Sequence, residues 1–386
     1  MGEQKRILML GSGLYGVAFI RELMRESEEK ISSITLGDID RDKAEQLKAE
    51  LEKETKYSVS TVQIDATDVQ KVASQLKDID LLINITGPFE KTATPVVKAA
   101  IENRIDYIDI NAHTDSTREV LTLNEQAKKA GVSLLIGFGD TPGLVNILAR
   151  YGADKLDTVE EIHIGGGGTP SKGLAGMARI WHNVISDPAL IYKDGQVVEV
   201  PARGDKELIQ VPGLEEPFEV MSARHTEVLT IPRFIPDVKL VTYKVGFYPK
   251  DISNDIFCTF FDWGLDSLEP IDVNGSGVAP ADFALAFSIS PAHRQALGRD
   301  KIPLISGFQV RVNGVKDGKA AQYTYRFRDP EVQMTQITLT RGVNLLLSGG
   351  IDQKGILAPE ALDPEPFISR ALERGMIIQE VQEVFL

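Results

Sequence analysis

The sequence predicts an α/β protein in which a doubly wound parallel sheet precedes a second sheet domain of α+β type. Apolar strands alternate with amphipathic helices through the first third of the chain, a glycine-rich turn follows the first strand, and the alternation stops after Arg150. Such alternation is typical of a parallel sheet with crossover helices. We therefore expect a first domain at residues 1–145 and a second at residues 146–339.

The first strand and its turn carry the most specific local signal. Residues 5–10 form an apolar run typical of a strand buried on both faces, and the segment Gly11-Ser12-Gly13-Leu14-Tyr15-Gly16 follows it. In a G-x-G-x-x-G turn the first glycine permits the tight turn, the second lets the backbone approach a pyrophosphate, and the third allows close helix packing. A helix predicted over residues 17–25 would direct its N-terminus at that phosphate. All six turn residues are therefore predicted to bind a dinucleotide.

An acidic residue follows the second predicted strand, where this kind of domain holds the adenosine ribose. The strand at residues 31–36 leads into Gly37, Asp38 and Ile39. A carboxylate at this point accepts hydrogen bonds from both ribose hydroxyls and repels a 2′-phosphate. Asp38, with Ile39 beside it, therefore predicts NAD as the coenzyme, and Arg41 keeps NADP as the less favoured alternative. Strand, turn, helix, strand and acid in this order predict a Rossmann domain.

The remaining elements of the first domain continue the same alternation. Helices are predicted over residues 42–55, 69–76, 92–103 and 116–130, and strands over 61–65, 79–85, 107–110 and 133–138. The turn Thr86-Gly87-Pro88 lies just past a strand, where ligands bind in open α/β sheets, so its three residues are predicted to join the coenzyme site. Asp65 ends the third strand, and it is either an adenine-side residue or a solvated loop acid.

The second domain has a more β-rich pattern. Strands are predicted over residues 159–164, 240–248, 256–263, 305–312 and 321–327, with turns at Asn313-Gly314 and Asp317-Gly318. We interpret the run Gly165–Gly168 as a flexible turn leaving a strand, with close approach of a ligand as the alternative. A helix over residues 281–297 is broken at Pro291, and another begins at Arg341.

Composition excludes several classes of function. The chain of 386 residues has 42 basic and 56 acidic side chains and a net charge of −14, which argues against a nucleic-acid partner and a polybasic membrane anchor. Cys258 is the single cysteine, so an internal disulfide and a thiolate zinc site are excluded. No sequence motif for a metal site is present, and none is predicted. Without a signal segment or a long apolar run, we expect a cytoplasmic protein with no membrane span.

Several short motifs, taken in order, give the chain a family resemblance. They are Gly87-Pro88-Phe89, Asp106-Tyr107-Ile108-Asp109 and Asp140-Thr141-Pro142-Gly143-Leu144-Val145-Asn146-Ile147-Leu148. With them the chain resembles the saccharopine dehydrogenase-like oxidoreductases. Further stretches at residues 38–40, 109–113, 146–153 and 186–191 are most similar to lysine 6-dehydrogenases.

The resemblance implies NAD(P)-dependent chemistry at a carbon bonded to nitrogen, in a homodimer whose segment 340–386 returns to the nucleotide-binding domain. Its first implication is oxidative deamination of L-lysine to 2-aminoadipate 6-semialdehyde and ammonia. The alternative is the reaction of saccharopine and carboxynorspermidine dehydrogenases, which make or break a secondary amine. A hypothesis from another functional class is that the protein is a nucleotide-binding regulator without catalytic activity.

Amine oxidation requires a group that takes a proton from the ammonium ion and later serves a water molecule. Asp109 and His113 are four residues apart just past a predicted strand, and they are the first candidates. Asp140 is a third candidate. Its neighbour Thr141 is predicted to cap a helix that begins at Pro142.

An amino-acid substrate also requires a cation for its carboxylate, and a planar guanidinium binds a carboxylate through two hydrogen bonds. Arg224, beside His225, is the first candidate for this contact, and Arg179 is the second.

Overall fold

The computed structural model describes residues 4–169, 180, 184–186, 188–250, 254–296, 298, 305–329 and 333–385. The chain divides into two compact units. The first comprises Met1–Ile147 and Gln333–Ala371, and the second comprises Leu148–Val332 and Leu372–Leu386. The sequence placed the whole segment 340–386 with the nucleotide-binding domain, whereas its last residues lie in the second unit.

Strands and helices of the described residues are numbered in chain order. The strands are β1 (Lys5–Leu10), β2 (Ile31–Asp38), β3 (Ser58–Gln63), β4 (Leu81–Asn84), β5 (Asp106–Asp109), β6 (Ser133–Leu135), β7 (Thr158–Gly168), β8 (Ala189–Lys193), β9 (Gln196–Val200), β10 (Glu207–Ile209), β11 (Phe218–Ser222), β12 (Leu240–Phe247), β13 (Ile271–Val273), β14 (Ser276–Val278), β15 (Ser306–Lys316), β16 (Lys319–Asp329), β17 (Gly355–Leu357) and β18 (Ile377–Val384). The helices are α1 (Leu14–Ser27), α2 (Arg41–Leu51), α3 (Val69–Ser74), α4 (Phe89–Asn103), α5 (Thr114–Leu121), α6 (Asn124–Ala130), α7 (Leu144–Ala153), α8 (Glu227–Phe234), α9 (Asp255–Asp262), α10 (Pro280–Ile289), α11 (Pro291–Ala296), α12 (Met334–Leu347) and α13 (Glu365–Glu373).

The first unit is built on a parallel sheet with the strand order β17-β6-β5-β4-β1-β2-β3. Every neighbouring pair in this sheet runs parallel. The chain proceeds outward from β1 to β3 and then crosses to β4, so the order reverses between β1 and β4. Ligands of doubly wound sheets bind beyond the carboxyl ends of the strands at such a reversal. The predicted fold class is confirmed for this unit.

Packing on both faces of the sheet explains the apolar strands. Consecutive residues Ile7, Leu8, Met9 and Leu10 of β1 are all inaccessible to solvent, as expected for a strand with helices on both sides. Helix α12, from the C-terminal part of the chain, packs against α1 and β5.

Charged side chains hold the C-terminal helices against α1. Arg370 of α13 contacts Glu22 at 3.0 Å and Glu26 at 2.5 Å, and Arg341 of α12 lies 3.6 Å from Glu26. Glu22 and Glu26 are 5% and 11% exposed, so water screens these pairs less than it screens surface pairs. The pairs fix α1, whose first residues belong to the glycine turn.

The second unit contains a mixed sheet with the order β10-β11-β12-β7-β15-β16-β18, and β8 and β9 extend it beside β12. Strand β7 runs parallel to β12 and antiparallel to β15. The interpretation of Gly165–Gly168 as a turn is wrong, because this run forms the last four residues of β7. A Cβ atom at Gly166 would lie 2.1 Å from the Phe308 ring, and one at Gly167 would lie 2.2 Å from the Gly246 carbonyl oxygen. Glycine is therefore required where neighbouring strands approach most closely.

Three further predictions for the second unit can be compared with the structure. Residues 256–263 were predicted as a strand, and this is wrong because they lie mainly in α9, which buries Phe257 and Phe261 one helical turn apart. Asn313-Gly314 is an irregularity within β15 rather than a turn. The turn at Asp317-Gly318 is confirmed by φ angles of 50° and 74°, and so is the helix break at Pro291, which starts α11.

In the first unit, the helix predicted over residues 116–130 is two helices, α5 and α6. Within the described part of the chain, no helix combines the length and the apolar character needed to cross a membrane.

Candidate functional site

The glycine turn after β1 meets three separate geometric demands. Gly11 has φ +103°, and its N–H donates to the Gly37 carbonyl at 2.8 Å. A Cβ atom at Gly16 would lie 2.2 Å from the Gly11 carbonyl oxygen, so this position requires the close approach that only glycine permits. A Cβ atom at Gly13 would meet no atom within 4 Å. The space beside Gly13 is therefore open, which is the property a pyrophosphate-binding backbone requires.

Asp38 lies at the carboxyl end of β2 and is tied to the glycine turn. Its Oδ2 accepts from the Ser12 N–H at 2.7 Å, and its Oδ1 accepts from the Asp40 N–H at 2.9 Å. The carboxylate is partly exposed, so it retains acceptor capacity for a bound ribose. Its position agrees with the one predicted from the sequence.

Two buried hydroxyls lie at this edge of the sheet, one in the glycine turn and one in the turn after β4. The Ser12 Oγ and Thr86 Oγ1 atoms are inaccessible to solvent and have no hydrogen-bond partner among the described residues. They follow β1 and β4, the two strands between which the sheet order reverses. A buried hydroxyl without a partner carries a cost that a bound ligand oxygen would relieve.

Other residues predicted for coenzyme binding lie near this edge with differing exposure. Tyr15 and Ile39 are 48% and 63% exposed, and the Gly87-Pro88 peptide bond is cis. The carboxylate of Asp65 accepts from the side chain and the backbone N–H of Thr67, which lowers its pKa. The side chain of Leu14 lies outside the described part of the chain.

Asp109 is fully buried at the end of β5. Its Oδ1 accepts from the backbone N–H groups of Asn111 and Gly137 at 2.9 and 2.7 Å, and its Oδ2 accepts from the Tyr107 hydroxyl at 2.7 Å. Burial raises the pKa of Asp109 to about 6, and the three hydrogen bonds partly oppose that rise. The carboxylate thus joins β5 to the segment that follows β6.

A chain of hydrogen bonds extends from Asp109 to the turn after β4. The Asn84 amide donates to the Tyr107 hydroxyl at 3.3 Å, and the Asn84 Oδ1 accepts from the Thr86 N–H at 3.0 Å. Burial and the neighbouring Asp109 raise the pKa of Tyr107 well above its usual value, so its hydroxyl remains a donor. The chain fixes the carboxyl ends of β4, β5 and β6 relative to one another. Sequence reasoning missed Asn84 and Tyr107 as site residues, although Asn84 lies near the end of one predicted strand and Tyr107 begins the next.

His113 begins α5 as its N-cap residue. Its Nδ1 accepts from the Ser116 N–H at 3.3 Å, and its own backbone N–H donates to the Asn111 Oδ1 at 2.9 Å. Because an accepting Nδ1 carries no proton, the neutral ring carries its proton on Nε2. In this arrangement His113 presents a hydrogen-bond donor rather than a base.

Asp140 lies in the loop between β6 and α7 and is partly exposed. Its Oδ1 accepts from the Thr141 N–H at 2.8 Å. The prediction that Thr141 caps a helix starting at Pro142 is wrong, since α7 begins at Leu144. The Gly143 N–H instead donates to the Asn146 Oδ1 at 2.9 Å.

A buried pair behind this loop was also missed. The Asn146 amide donates to Glu360 at 2.9 Å, and both side chains are inaccessible to solvent. The two residues are far apart in the sequence, and no local pattern marks Glu360.

The predicted substrate-binding residues belong to the second unit. His225 is 1% exposed, its Nδ1 lies 2.5 Å from Glu227, and its ring stacks on Tyr243 with centroids 4.3 Å apart. Arg224 is partly exposed, and its backbone N–H donates to the Val184 carbonyl at 2.8 Å. Arg179 lies outside the described residues. Glu227 and Tyr243 were not predicted.

Among the residues that the structure describes, no group of three or more His, Cys, Asp or Glu side chains is arranged to hold a metal ion.

Comparison with protein-family models decides the family. The model described as "Saccharopine dehydrogenase NADP binding domain" matches residues 7–135, and "Saccharopine dehydrogenase C-terminal domain" matches residues 139–376. The chain belongs to the saccharopine dehydrogenase family. It is a saccharopine dehydrogenase-like oxidoreductase with a pyridine-nucleotide-binding domain, and the predicted family, enzyme class and coenzyme class are confirmed at this level.

Curated relatives of this saccharopine dehydrogenase-like protein match it over nearly its whole length. "Carboxynorspermidine synthase" of Vibrio alginolyticus is 24% identical and covers 96% of this chain and 95% of the relative. "Carboxyaminopropylagmatine dehydrogenase" of Synechocystis is 22% identical and covers 97% of both chains.

A solved structure shows the same fold. The saccharopine dehydrogenase (L-Glu forming) of Saccharomyces cerevisiae matches with a TM-score of 0.69 and 17% identity, over 98% of this chain and the whole of the other. The predicted Rossmann sheet followed by a second sheet domain is thereby confirmed. The closer likeness to lysine 6-dehydrogenases stays a prediction.

Proposed function

We propose that this protein makes or breaks a secondary amine with a pyridine nucleotide, which is the alternative raised by the sequence. In the forward direction an amine condenses with a carbonyl compound, water leaves, and hydride reduces the carbon of the resulting imine. NAD(P)H and one proton are consumed for each secondary amine formed. The observation that carries the proposal is the match over both domains to relatives named carboxynorspermidine synthase and carboxyaminopropylagmatine dehydrogenase.

The edge between β1 and β4 fits a dinucleotide. The backbone at Gly13 is open, and the unpartnered hydroxyls of Ser12 and Thr86 lie where phosphate or ribose oxygens would be received. The N–H groups that begin α1 add a positive partial charge there. When bound, the nicotinamide group supplies or accepts the hydride.

We assign NAD rather than NADP as the preferred coenzyme because of Asp38. Its carboxylate, fixed by the Ser12 N–H, accepts hydrogen bonds from ribose hydroxyls and repels a 2′-phosphate. Replacing Asp38 with alanine removes this repulsion, so NADPH should gain on NADH in the variant.

Proton transfer requires a group that can reach the reacting nitrogen or the leaving water. Asp109 was the first candidate from the sequence, but its carboxylate is completely buried with both oxygens engaged. We therefore assign Asp109 to positioning the strand ends. Asp140, partly exposed, takes the role of proton acceptor, and His113 donates a hydrogen bond from Nε2.

The carboxylate of an amino-acid substrate would be received by Arg224, as predicted from the sequence. The buried pair of His225 and Glu227 supports this segment from within. Arg179 remains a second candidate. A homodimer and a cytoplasmic location stay predictions of the sequence.

Oxidation of NADH measures the proposed reaction directly. Purified protein is given L-lysine or a diamine, an aldehyde or 2-oxo acid, or both together. We expect NADH to be consumed only when amine and carbonyl are both present, with the secondary amine detected by mass spectrometry. If the protein binds NADH but forms no secondary amine from any pair, the proposal fails.

The same preparation separates the alternatives. Production of NADH and ammonia from L-lysine and NAD alone would favour lysine deamination instead. Parallel assays with NADPH, for the unmodified protein and for Asp38→Ala, test the coenzyme assignment. An unchanged preference in the variant would overturn the role of Asp38 without affecting the reaction type.

A further inference from the structure

The last strand of the second sheet is unusually exposed. Strand β18 lies at the edge of that sheet, and among the described residues it pairs with β16 only. Its side chains are exposed on both faces, including Ile377 at 45%, Val381 at 36% and Val384 at 45%, and Phe385 follows at 53%. A long edge strand with apolar side chains is a template for pairing with another strand.

The register with β16 shows which backbone groups point outward. The Phe385 N–H donates to the Ala320 carbonyl at 2.9 Å, so Phe385 directs its backbone groups towards β16. Hydrogen-bonding direction alternates along a strand, so Val381 also points inward. The alternate residues direct their backbone N–H and C=O groups towards the outer edge of the sheet. They are Ile378, Glu380, Gln382 and Val384.

The sequence of this edge is complementary to itself. Two copies of β18 placed antiparallel about a two-fold axis at Val381 bring each glutamate opposite a glutamine and each apolar residue opposite an apolar residue. The opposed pairs are Val381 with Val381, Glu380 with Gln382, Gln379 with Glu383, Ile378 with Val384, and Ile377 with Phe385. In this register the backbone hydrogen bonds between the two copies are made by the residues whose N–H and C=O groups point outward.

Neighbouring registers do not have this property. An axis at Glu380 places that carboxylate opposite its own copy, and like charges directly opposed destabilise a sheet. An axis at Gln382 places Val381 opposite Glu383. The register centred on Val381 is therefore favoured over both.

Contacts within the unit hold the strand in place before any pairing. The Lys155 ammonium lies 2.6 Å from Glu380 and 3.9 Å from the centre of the Tyr151 ring. The Gln322 amide donates to Glu383 from the neighbouring strand β16. A strand ordered in advance loses less conformational entropy when it pairs.

We propose that β18 is the edge along which two copies of this chain associate, forming one continuous antiparallel sheet centred on Val381. The proposal depends only on the second sheet and is independent of the reaction catalysed. Closed two-fold pairing also removes the exposed edge that would otherwise invite open-ended association.

Cysteine cross-linking tests the register. In a Cys258→Ser background, Val381→Cys places two thiols opposite each other in a non-hydrogen-bonded pair, where the Cα atoms are ~4.5 Å apart and a disulfide can form. Gln379→Cys is the matched control on the same face, because its copies would be roughly 13 Å apart along the strands. Mild oxidation should link Val381→Cys into a covalent dimer and leave Gln379→Cys unlinked. Equal linking of both variants, or of neither, would overturn the register.

Charge substitution tests the interface without a covalent bond. Gln382→Glu places two carboxylates opposite each other at both symmetric positions, whereas Gln382→Lys places an ammonium opposite Glu380. Sedimentation should give a dimer dissociation constant about fivefold lower for Gln382→Lys and about fivefold higher for Gln382→Glu than for the unmodified chain. An unmodified chain that is monomeric at micromolar concentration, or a dimer indifferent to both changes, would exclude this edge as the interface.

Discussion

Two glycine-rich segments of this molecule have similar composition and opposite physical purposes. In the first unit, the turn containing Gly13 leaves space open at the carboxyl edge of a parallel sheet. In the second unit, the run ending β7 has its side-chain space filled, by the Phe308 ring at Gly166 and by the Gly246 carbonyl at Gly167. Glycine therefore serves ligand access in one region and close strand packing in the other.

The difference shows how a functional glycine is distinguished from a structural one. The deciding quantity is what an added methyl group would meet. Where it meets nothing and the backbone φ is not positive, as at Gly13, substitution leaves the fold intact and affects only what binds there. Where it meets backbone, substitution changes the stability of the fold.

Alanine at Gly167 should produce the largest effect. This residue has φ +144°, and the added Cβ would lie 2.2 Å from a backbone oxygen of β12. We expect the free energy of unfolding, measured by urea denaturation, to fall by about 4 kcal/mol or more, because neither the backbone nor its neighbour can yield. Gly204→Ala in the same unit, where the nearest atom lies at 3.4 Å, should stay within ~1 kcal/mol. Similar losses in both variants would contradict the packing explanation.

Alanine at Gly13 should weaken coenzyme binding without lowering the stability of the fold. We expect the dissociation constant for NADH to rise at least about tenfold, since the methyl group occupies the approach of the pyrophosphate, while the urea midpoint stays unchanged. Binding is followed by isothermal titration calorimetry. Gly16→Ala serves as the contrast within the same turn, because its Cβ would strike the Gly11 carbonyl and destabilise the unit. Unimpaired coenzyme binding by Gly13→Ala would place the phosphate elsewhere.

The same contrast between open and filled surroundings separates two carboxylates of the first unit. Asp38 is partly exposed at the end of β2, whereas Asp109 is inaccessible at the end of β5. Removal from water raises the pKa of Asp109 to about 6.

Asp109→Asn should alter the pH dependence of stability. Because the folded state of the unmodified protein binds this proton more tightly than the unfolded state, the stabilisation is present at acidic pH and is lost as pH rises from about 4 through about 6. Relative to the variant, the free energy of unfolding should fall by ~3 kcal/mol over that interval and stay level above it. The amide retains the two contacts of Oδ1. Parallel stability curves for the two proteins would mean that this carboxyl does not titrate abnormally.

The elements of the first unit could be predicted because their signals are local. Strand β1 was predicted with its observed limits, since a strand buried on both faces is a continuous apolar run. In the second unit, residues 256–263 contain apolar and aromatic residues compatible with a strand or a helix. In the helix, Phe257 contacts Phe247 of β12, with 4.7 Å between ring centres. This contact is not visible in the local sequence.

The residues of the candidate site also divide into those predictable from the local sequence and those that are not. The glycine turn and Asp38 follow from spacing along the chain. The connection from Asn84 through Tyr107 to Asp109 depends on β4 and β5 lying side by side, and Glu360 reaches Asn146 from more than half the chain away. These contacts depend on the order of the strands in the sheet, and that order is not visible in the local sequence.

The order in which strands join the two sheets has a consequence for biosynthesis. Strand β17 completes the edge of the first sheet beside β6, and β18 completes the second beside β16, so each unit receives its last strand from the final part of the chain. During translation β6 and β16 therefore stay unpaired on one side until β17 and β18 have been synthesised and released from the ribosome. Each nascent unit is an unfinished sheet, and shielding of those two edges by a chaperone would be most valuable in that interval.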